Sequence, residues 1–427
     1  MKQKFLTGDE IEVITKTEKF KGRFIENSDK NFLILKLNSG YNIGIERKKI
    51  KSINLSKKFK GKPSAKVKVT QKKGLKTVTI LHTGGTISSA VDYTTGGVTP
   101  HFTPEELLAM FPEVKDIINI RSRLVRNMAS DDMRFSHYNL LAKEIANEVK
   151  SGTNGIIITH GTDTMHYTAA ALSFILENLP IPVILIGAQR SSDRGSSDAA
   201  MNFISACHFI AKTDYNGTVI CMHKTMDDDI CVILPGLKSR KMHSSRRDAF
   251  KAINSKAIAE IEYLTGKVKF LQSHPKPNHD KQLELKLLNE KLKIGLIKAH
   301  PQMHAAELDC YDNFDGLILE GTGLGHFPIS KIDEFTTEHI KIRNKIKELA
   351  KKMPVVMTTQ TIYGRVQMNV YGAGREIQNM GVIGNYNDMT PETAFIKLAW
   401  LLSNYPHKVK ELISINLKGE INKRILP

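Results

Sequence analysis

From Thr77 onward, short apolar segments alternate with longer amphipathic ones, and no other feature limits the possible folds of the chain so strongly. The apolar segments have the length and composition of buried strands, and they lie at residues 78–81, 156–159, 183–186 and 218–222. The segments between them have the spacing of helices, which are predicted at residues 135–149, 169–177 and 199–211. Repeated units of this kind predict an α/β fold with a parallel, doubly wound sheet and helices on both of its faces.

A polar stretch at residues 273–280 divides this region into two parts. Beyond it, the sequence predicts three further strands and a final helix, at residues 294–297, 316–319, 355–358 and 390–402. We therefore expect two α/β domains, a larger one at residues 77–280 and a smaller one at residues 281–427. A helix start is predicted within the larger domain, because Thr103 is a suitable N-cap and Pro104 a suitable first residue.

Residues 1–54 have a different pattern, with five short predicted strands separated by turns. Apolar and polar residues alternate along segments such as 5–14, as they do in half-buried strands. Five short strands joined by tight turns predict a small closed β-barrel, an arrangement that leaves no strand edge exposed. Residues 55–76 are predicted to form a basic linker between this barrel and the α/β region.

The net charge of +18 is concentrated in the first 76 residues. They contain 21 basic and 7 acidic side chains, a balance of +14. Thirteen Lys and Arg residues lie between Arg47 and Lys76 without a single acidic residue. Such a segment attracts polyanions by releasing their counterions, so direct contact with a nucleic acid is one interpretation. A plain solvated linker is the other, and it agrees equally well with the composition.

Several classes of protein are excluded by what the sequence lacks. Its longest apolar runs are far shorter than the ~20 residues that cross a bilayer, and its start has no stretch typical of a secretory signal. The four cysteines have no paired CxxC spacing, which indicates free thiols in a reducing compartment. No HExxH or cysteine–histidine motif is present, so no metal site is expected. These features predict a cytoplasmic protein without a membrane segment.

Two loops that follow predicted strands carry threonine side chains beside glycines. The first is Thr83-Gly84-Gly85-Thr86, and the second is His160-Gly161-Thr162-Asp163. Open α/β sheets bind ligands at the carboxyl ends of their strands, where glycines let the backbone approach a small molecule. A phosphate-binding loop is a poorer interpretation of the first loop, because it matches neither GxGxxG nor GK[ST]. Thr162 and Asp163 alone would indicate a helix cap, but two such loops in one sheet favour a catalytic site.

These two loops, in this order and each after a strand, resemble the signature motifs of the L-asparaginase/glutaminase amidohydrolases. The resemblance covers residues 76–427 and implies hydrolysis of a side-chain amide. It implies that Thr86 is the nucleophile, which needs an adjacent base and a polarised carbonyl. It also implies that Thr162, Asp163 and Lys241 form the relay that activates a hydroxyl and stabilises the oxyanion.

Lys241 would have to lose its proton to act as a base, which burial and neighbouring positive charge both favour. The arginines that could supply this charge are Arg240, Arg246 and Arg247.

The same resemblance implies three substrate-binding residues. Tyr93 matches the tyrosine of the family's mobile loop, and the glycines after it would serve as hinges of a lid. Ser130 and Asp131 match the segment that binds the α-carboxylate and amine of the substrate. Free asparaginases usually carry Gln where this chain has Asp131.

The 76 additional residues at the start, together with residues 238–250, resemble the D-subunit family of the archaeal glutamyl-tRNA(Gln) amidotransferases over the whole chain. This resemblance implies that the chain releases ammonia from glutamine or asparagine for a partner, the E subunit of the amidotransferase. The E subunit would bind glutamyl-tRNA(Gln) and use ATP and Mg²⁺ to form glutaminyl-tRNA. This chain would then need no cofactor, in agreement with its lack of a nucleotide-binding loop. A homodimer within a heterotetramer is also implied.

Two alternatives stay open from the sequence. One is a free cytosolic L-asparaginase with an appended barrel. The other is an RNA-binding protein in which the α/β part is a non-catalytic scaffold. The presence of all four residues of the predicted catalytic set argues against an inert scaffold; they are Thr86, Thr162, Asp163 and Lys241. The choice between glutamine and asparagine depends on the shape of the pocket and is also open.

Overall fold

The computed structural model of the chain describes residues 5, 8–25, 31–37, 42–58, 71–85, 89–91, 98–100, 103–190, 196–274 and 281–424. Its first unit is an antiparallel sheet of five strands, namely β1 (Glu10–Thr15), β2 (Lys19–Ile25), β3 (Phe32–Lys36), β4 (Asn42–Glu46) and β5 (Ile50–Lys57). Alternation along these strands buries a small core, formed by Ile11, Val13, Leu33, Leu35 and Ile45.

The strands of this sheet are hydrogen-bonded in the order β4-β3-β2-β1-β5. The five predicted strands are therefore confirmed. Closure of the predicted barrel would need a pairing of β4 with β5, and that pairing is not among those formed by the described residues.

The second unit is a mixed sheet of eight strands. The strands of this part of the chain are β6 (Thr77–His82), β7 (Ser89–Val91), β8 (Val98–Pro100), β9 (Asn119–Leu124), β10 (Gly155–Thr159), β11 (Leu176–Glu177), β12 (Pro182–Ile186), β13 (Gly217–His223), β14 (Ile230–Pro235), β15 (Ser239–Lys241), β16 (Phe250–Ala252), β17 (Ala259–Glu262) and β18 (Lys267–Phe270). The sheet has the order β18-β17-β14-β13-β12-β10-β6-β9. Its strands are parallel from β9 to β13 and antiparallel from β13 to β18. The predicted parallel sheet is thus confirmed for five strands, whereas three antiparallel strands extend it beyond the prediction.

Helices cover both faces of this sheet, as predicted. They are α1 (Pro104–Met110), α2 (Phe135–Lys150), α3 (Met165–Ile175) and α4 (Ala199–Lys212). Along β10, Ile156 and Ile158 belong to the core beneath α2 and α3, whereas Ile157 belongs to the core beneath α1 and α4. The predicted start of α1 is confirmed by a capping box in which the Thr103 side chain accepts a hydrogen bond from the backbone N–H of Glu106.

The third unit is a parallel sheet of three strands with its own helices. Its region contains β19 (Glu284–Leu285), β20 (Ile294–Lys298), β21 (Gly316–Gly321), β22 (Val355–Thr359), α5 (Glu338–Lys352), α6 (Gly372–Asn379), α7 (Pro391–Asn404) and α8 (Val409–Leu412). The order of the sheet is β20-β21-β22. Helix α7 belongs to the same apolar core as α3, and the ring of Trp400 packs on that of Phe174 with centroids 5.4 Å apart. The two α/β units therefore share a continuous core.

Strand β6 lies at the point where the order of the large sheet reverses. Its neighbours are β9 on one side and β10 on the other, although all three strands run in the same direction. Ligand sites of open α/β sheets lie outside the carboxyl ends of the strands at such a point. The loops after β6 and β10 are the two threonine-bearing loops, so the fold brings the two motifs together.

The end of the predicted linker is attached to the large sheet. The backbone N–H of Lys72 donates to Asn119 Oδ1 over 2.8 Å, and Lys76 Nζ donates to the carbonyl oxygens of Ile210 and Thr213. The residues that precede this anchored end, 59–70, lie outside the described part of the chain. Within that described part, no helix is long and apolar enough to cross a membrane.

Candidate active site

The first motif is held against the second by backbone contacts that only glycine allows. Gly84 and Gly85 have φ angles of 112° and 83°. A Cβ atom on Gly84 would lie 2.4 Å from the carbonyl oxygen of Met128, and one on Gly85 would lie 2.6 Å from the backbone nitrogen of Gly161. The nucleophile predicted to follow them, Thr86, lies outside the described residues, as does Tyr93.

Thr162, Asp163 and Lys241 form one hydrogen-bonded group. Lys241 Nζ lies 2.8 Å from Thr162 Oγ1 and 2.8 Å from Asp163 Oδ1. The side chain of Lys241 is 10% exposed, whereas that of Asp163 is 69% exposed. A buried amine that contacts both a buried hydroxyl and a solvent-facing carboxylate can pass a proton between the interior and the surface.

The lack of a side chain at Gly187 leaves room for Thr162 in this group. A Cβ atom on Gly187, directly after β12, would lie 2.5 Å from Thr162 Cγ2. Lys241 reaches Thr162 from β15, which pairs with β16 in a separate two-stranded sheet. The predicted relay therefore combines two loops at the edge of the large sheet with a hairpin that lies beside it.

The segment predicted to bind the substrate's α-carboxylate and amine lies next to the second motif. Ser130 is buried at the start of a short 3₁₀ turn, Ser130–Asp132, and its carbonyl oxygen accepts a hydrogen bond from Thr164 Oγ1 over 2.5 Å. Ser130 Oγ accepts another from the backbone N–H of Thr164 over 3.3 Å. Asp131 is exposed beside it.

The three arginines expected to place positive charge near Lys241 are each paired with a carboxylate. Arg246 makes two hydrogen bonds to Asp248, and Arg247 contacts Asp228. Arg240 Nη2 lies 3.1 Å from Glu392 Oε1. The positive charge of each of these arginines is therefore balanced by a carboxylate, and in two cases the carboxylate comes from another part of the chain.

Two buried histidines support the loops. His160 Nδ1 lies 2.6 Å from the carbonyl oxygen of Gly161, and its Nε2 lies 2.8 Å from Thr168 Oγ1. His82, at the end of β6, lies 2.9 Å from the hydroxyls of Thr159 and Ser122. Burial lowers the pKa of both imidazoles to about 4, so that they are neutral at physiological pH. Their only signal in the sequence is their position: His82 directly precedes the first motif, and His160 is the first residue of the second.

A cavity of about 430 Å³ adjoins the relay. Its lining includes Asp163 of the second motif and residues from α3, β15 and α7, namely His166, Tyr167, Arg240, Lys241 and Glu392. His166 Nε2 lies 3.9 Å from Glu392 Oε1, and burial lowers the pKa of this imidazole to about 4. No group of three or more His, Cys, Asp or Glu side chains among the described residues could hold a metal ion.

Three family models match the chain. Residues 5–55 match the GatD N-terminal domain, residues 77–276 the N-terminal asparaginase domain, and residues 293–413 the glutaminase/asparaginase C-terminal domain. The D subunit of the glutamyl-tRNA(Gln) amidotransferase of Methanococcus maripaludis is 44% identical, over 98% of each chain. The chain belongs to the D-subunit family of glutamyl-tRNA(Gln) amidotransferases. The member from Pyrococcus furiosus is 43% identical, over 94% of this chain and 90% of that one.

Solved structures extend this result to the α/β part of the chain. The L-asparaginase of Thermococcus kodakarensis superimposes with a TM-score of 0.70 at 29% identity, covering 81% of this chain and 99% of that enzyme. L-asparaginase I of Vibrio cholerae gives a TM-score of 0.69 at 27% identity, covering 82% of this chain and 100% of that enzyme. The chain is thus an amidotransferase subunit with an asparaginase-type amidohydrolase fold, as the sequence predicted.

Proposed function

We propose that this chain is the amidase of a tRNA-dependent amidotransferase and releases ammonia from the side chain of glutamine or asparagine. The observation that carries the proposal is the position of Lys241 Nζ, 2.8 Å from both Thr162 Oγ1 and Asp163 Oδ1, at the reversal point of the sheet. Amide hydrolysis by a threonine needs such a relay, because a hydroxyl is a weak nucleophile unless a neighbouring group takes its proton.

In the proposed reaction Thr86 attacks the side-chain amide carbonyl, and Tyr93 closes over the substrate. Thr162 and Lys241 move the proton that must pass from the nucleophile to the leaving nitrogen. Asp163 binds Lys241 on the solvent-facing side of the relay. The acyl-enzyme is then hydrolysed by water, which restores the threonine hydroxyl.

Substrate binding is proposed for the 3₁₀ turn beside the second motif. Ser130 and Asp131 would bind the α-carboxylate and α-amine of the free amino acid. The negative charge of Asp131 suits the amine, whereas the buried Ser130 suits the carboxylate through its hydroxyl. The two hydrogen bonds between Ser130 and Thr164 support this role, since they hold the binding turn next to the relay.

The ammonia would be consumed by a partner, the E subunit of the amidotransferase, which converts glutamyl-tRNA(Gln) to glutaminyl-tRNA. ATP and Mg²⁺ would be used in the partner, and this chain would need no cofactor of its own. We also propose a homodimer within a heterotetramer. Exposed apolar side chains after β22 support a second copy: Val370, Tyr371 and Tyr386 are exposed, and Asn369 Nδ2 donates to the Tyr386 hydroxyl.

The test is a steady-state ammonia assay from which each component is omitted in turn. An uncoupled amidase would waste its substrate, so we expect slow glutamine hydrolysis by the isolated chain. Addition of the E subunit with glutamyl-tRNA(Gln) should produce a large rise in kcat. Unacylated tRNA should stimulate less, because only the acylated form supplies an acceptor.

The same assay distinguishes the alternative enzyme. Hydrolysis at full rate by the isolated chain, unchanged by any partner, would make it a free L-asparaginase like its structural neighbours. Absence of hydrolysis under every condition, with tRNA binding retained, would favour the non-catalytic RNA-binding scaffold.

A further inference from the structure

The strand that carries Lys241 and the two residues before it are attached by three contacts to residues 388–393, which lead into α7. Thr393 Oγ1 donates to the carbonyl oxygen of Leu237 over 2.9 Å, and Lys238 Nζ lies 3.0 Å from Asp388 Oδ2. The third contact is the 3.1 Å ion pair of Arg240 with Glu392. Residues 237, 238 and 240 thus each bind a residue of the second α/β unit, and the next residue in the chain is Lys241.

These contacts are buried. The side chains of Lys238 and Asp388 are almost fully enclosed, and Glu392 is also buried. Asp388 is fixed further by Asn422, whose backbone and side-chain N–H groups donate to its two carboxylate oxygens over 3.0 and 2.8 Å. A buried charged pair of this kind tolerates little change of position, because the loss of one partner leaves an uncompensated charge.

Strand β16 is anchored in the core by the fully buried Phe250, whereas on β15 only Ser239 is buried. Strands β15 and β16 have three residues each and pair only with one another among the described strands. Short isolated two-stranded ribbons have little stability of their own. The position of Lys241 relative to Thr162 therefore depends on what binds β15 from outside. Residues 388, 392 and 393, in α7 and just before it, supply three contacts directly before the lysine.

We infer that the pairs Arg240–Glu392 and Lys238–Asp388 are positioning devices by which the second α/β unit holds Lys241 on the relay. Arg240 and Glu392 do not contact the substrate site formed by Ser130 and Asp131; they act through the lysine. This inference rests on the proposed role of Lys241.

The charges around Lys241 give a readout that a purely structural role would not produce. The groups that face the amine are Asp163 from the second motif, His166 and Tyr167 from α3, Glu392 from α7, and Arg240 and His243 from its own segment. Substitution Glu392→Gln would leave the Arg240 guanidinium unpaired, which disfavours a second positive charge nearby. Substitution Arg240→Gln would leave the carboxylate unpaired, which favours it.

The experiment measures glutamine hydrolysis by the full complex against pH for Glu392→Gln, Arg240→Gln and the double variant. We expect kcat to fall roughly ten- to a hundredfold in each single variant, as for a reacting group displaced by about 1 Å. KM should change little. The acid limb of the kcat profile should move to lower pH in Glu392→Gln and to higher pH in Arg240→Gln. In the double variant it should return to the wild-type position while kcat stays low.

A matched control is Glu177→Gln. Glu177 pairs with Lys418 over 3.1 Å and so also connects the two α/β units, but it is on β11 and has no contact with the hairpin. This control should change neither kcat nor the pH profile. The isosteric Asp388→Asn variant provides a second test should Glu392→Gln fold poorly, and it should lower kcat without moving the pH profile to the same extent.

Two results would overturn the inference. One is an unchanged kcat in both single variants; the other is a decrease that merely follows the loss of thermal stability, with no opposite displacement of the pH profiles. Lys241→Met is measured in parallel. Loss of activity there combined with a normal Glu392→Gln variant removes this inference alone, whereas normal activity of Lys241→Met removes the proposed relay itself.

Discussion

The described ion pairs of the N-terminal sheet have exposed lysines, whereas the α/β units also contain buried ion pairs. In the sheet, ion pairs such as Lys19–Glu12 and Lys48–Glu46 have lysines that are 62% and 81% exposed. In the α/β units, the pair Lys238–Asp388 is buried at both ends, and Lys397–Glu420 is completely enclosed. Exposed pairs contribute roughly 0–1 kcal/mol, whereas the removal of one partner from a buried pair costs about 3–5 kcal/mol.

This difference indicates that charge has a different role in each region. The first 76 residues carry a charge balance of +14, which attracts polyanions. Buried charge in the α/β units fixes the positions of neighbouring side chains, and one of its pairs lies directly before Lys241. Changes to the first region should therefore affect association, and changes to the second should affect chemistry and stability.

The largest expected effect comes from removing the relay. Each of Thr86→Ala, Thr162→Ala, Asp163→Asn and Lys241→Met should lower kcat for ammonia release by roughly a thousandfold or more. Because these groups act as a unit, the double variant Thr162→Ala/Lys241→Met should be hardly slower than either single variant. Lys19→Gln and Lys48→Gln in the sheet are the controls and should hydrolyse glutamine normally. Near-normal glutaminase activity of Thr162→Ala would remove the relay.

A smaller effect is expected on the pH dependence of the free energy of unfolding, which should differ between the N-terminal sheet and the α/β units. Burial lowers the pKa of His82, His160 and His166 to about 4 in the folded protein. The unfolded chain, with pKa values near 6.5, then binds more protons, so the α/β units lose stability as the pH falls from about 6.5 to about 4. The loss is on the order of 3 kcal/mol or less for each histidine. Residues 1–76 contain no histidine and should show no such dependence.

The single tryptophan allows the pH dependence of stability in the α/β units to be measured. Trp400 is buried in α7, so its fluorescence reports urea unfolding of the α/β core, while hydrogen exchange of β1 reports the sheet. His166→Gln should reduce the pH dependence of the Trp400 signal, and the exposed His407→Gln should not. An equal pH dependence in β1 and in the α/β core would contradict the comparison.

Changes to the basic stretch are expected to have the smallest effect on hydrolysis of free glutamine. If it contacts tRNA, neutralising five of its lysines should flatten the slope of log K for tRNA binding against log salt concentration by up to about 4. These are Lys57, Lys58, Lys60, Lys66 and Lys68. Hydrolysis of free glutamine should not change. The control neutralises five exposed lysines of the second α/β unit: Lys331, Lys341, Lys347, Lys351 and Lys410. Equal slopes for the wild type and the linker variant would leave the stretch as a solvated tether.

Much of the fold was predictable because strand and helix periods are local properties of the sequence. The strand at residues 156–159 and the helix at residues 135–149 were located to within a residue of β10 and α2. Helix α3 begins at Met165, four residues before its predicted start, because the motif residues 161–164 already form the turn into it. The antiparallel strands β14, β17 and β18 were not predicted from the sequence.

In the candidate site, only the residues that belong to sequence motifs were predictable. Thr162, Asp163 and Lys241 were found from motif positions, and the structure brings them within hydrogen-bond distance. Glu392 was not found, because it lies 152 positions after Arg240 and no local pattern connects the two. Contacts between the two α/β units depend on tertiary packing. No short segment of the sequence shows which distant residues this packing brings together.

The three contacts between residues 388–393 and residues 237–240 also bear on how such enzymes can be recombined. A chimera that joins the first α/β unit of this chain to the second unit of another asparaginase-type enzyme would keep every residue of the motifs. It would nevertheless exchange the residues at 388, 392 and 393, which hold the lysine-bearing hairpin. The natural crossover unit is therefore the hairpin together with the start of α7, two segments that must be inherited or grafted as a pair although some 150 residues separate them in the chain.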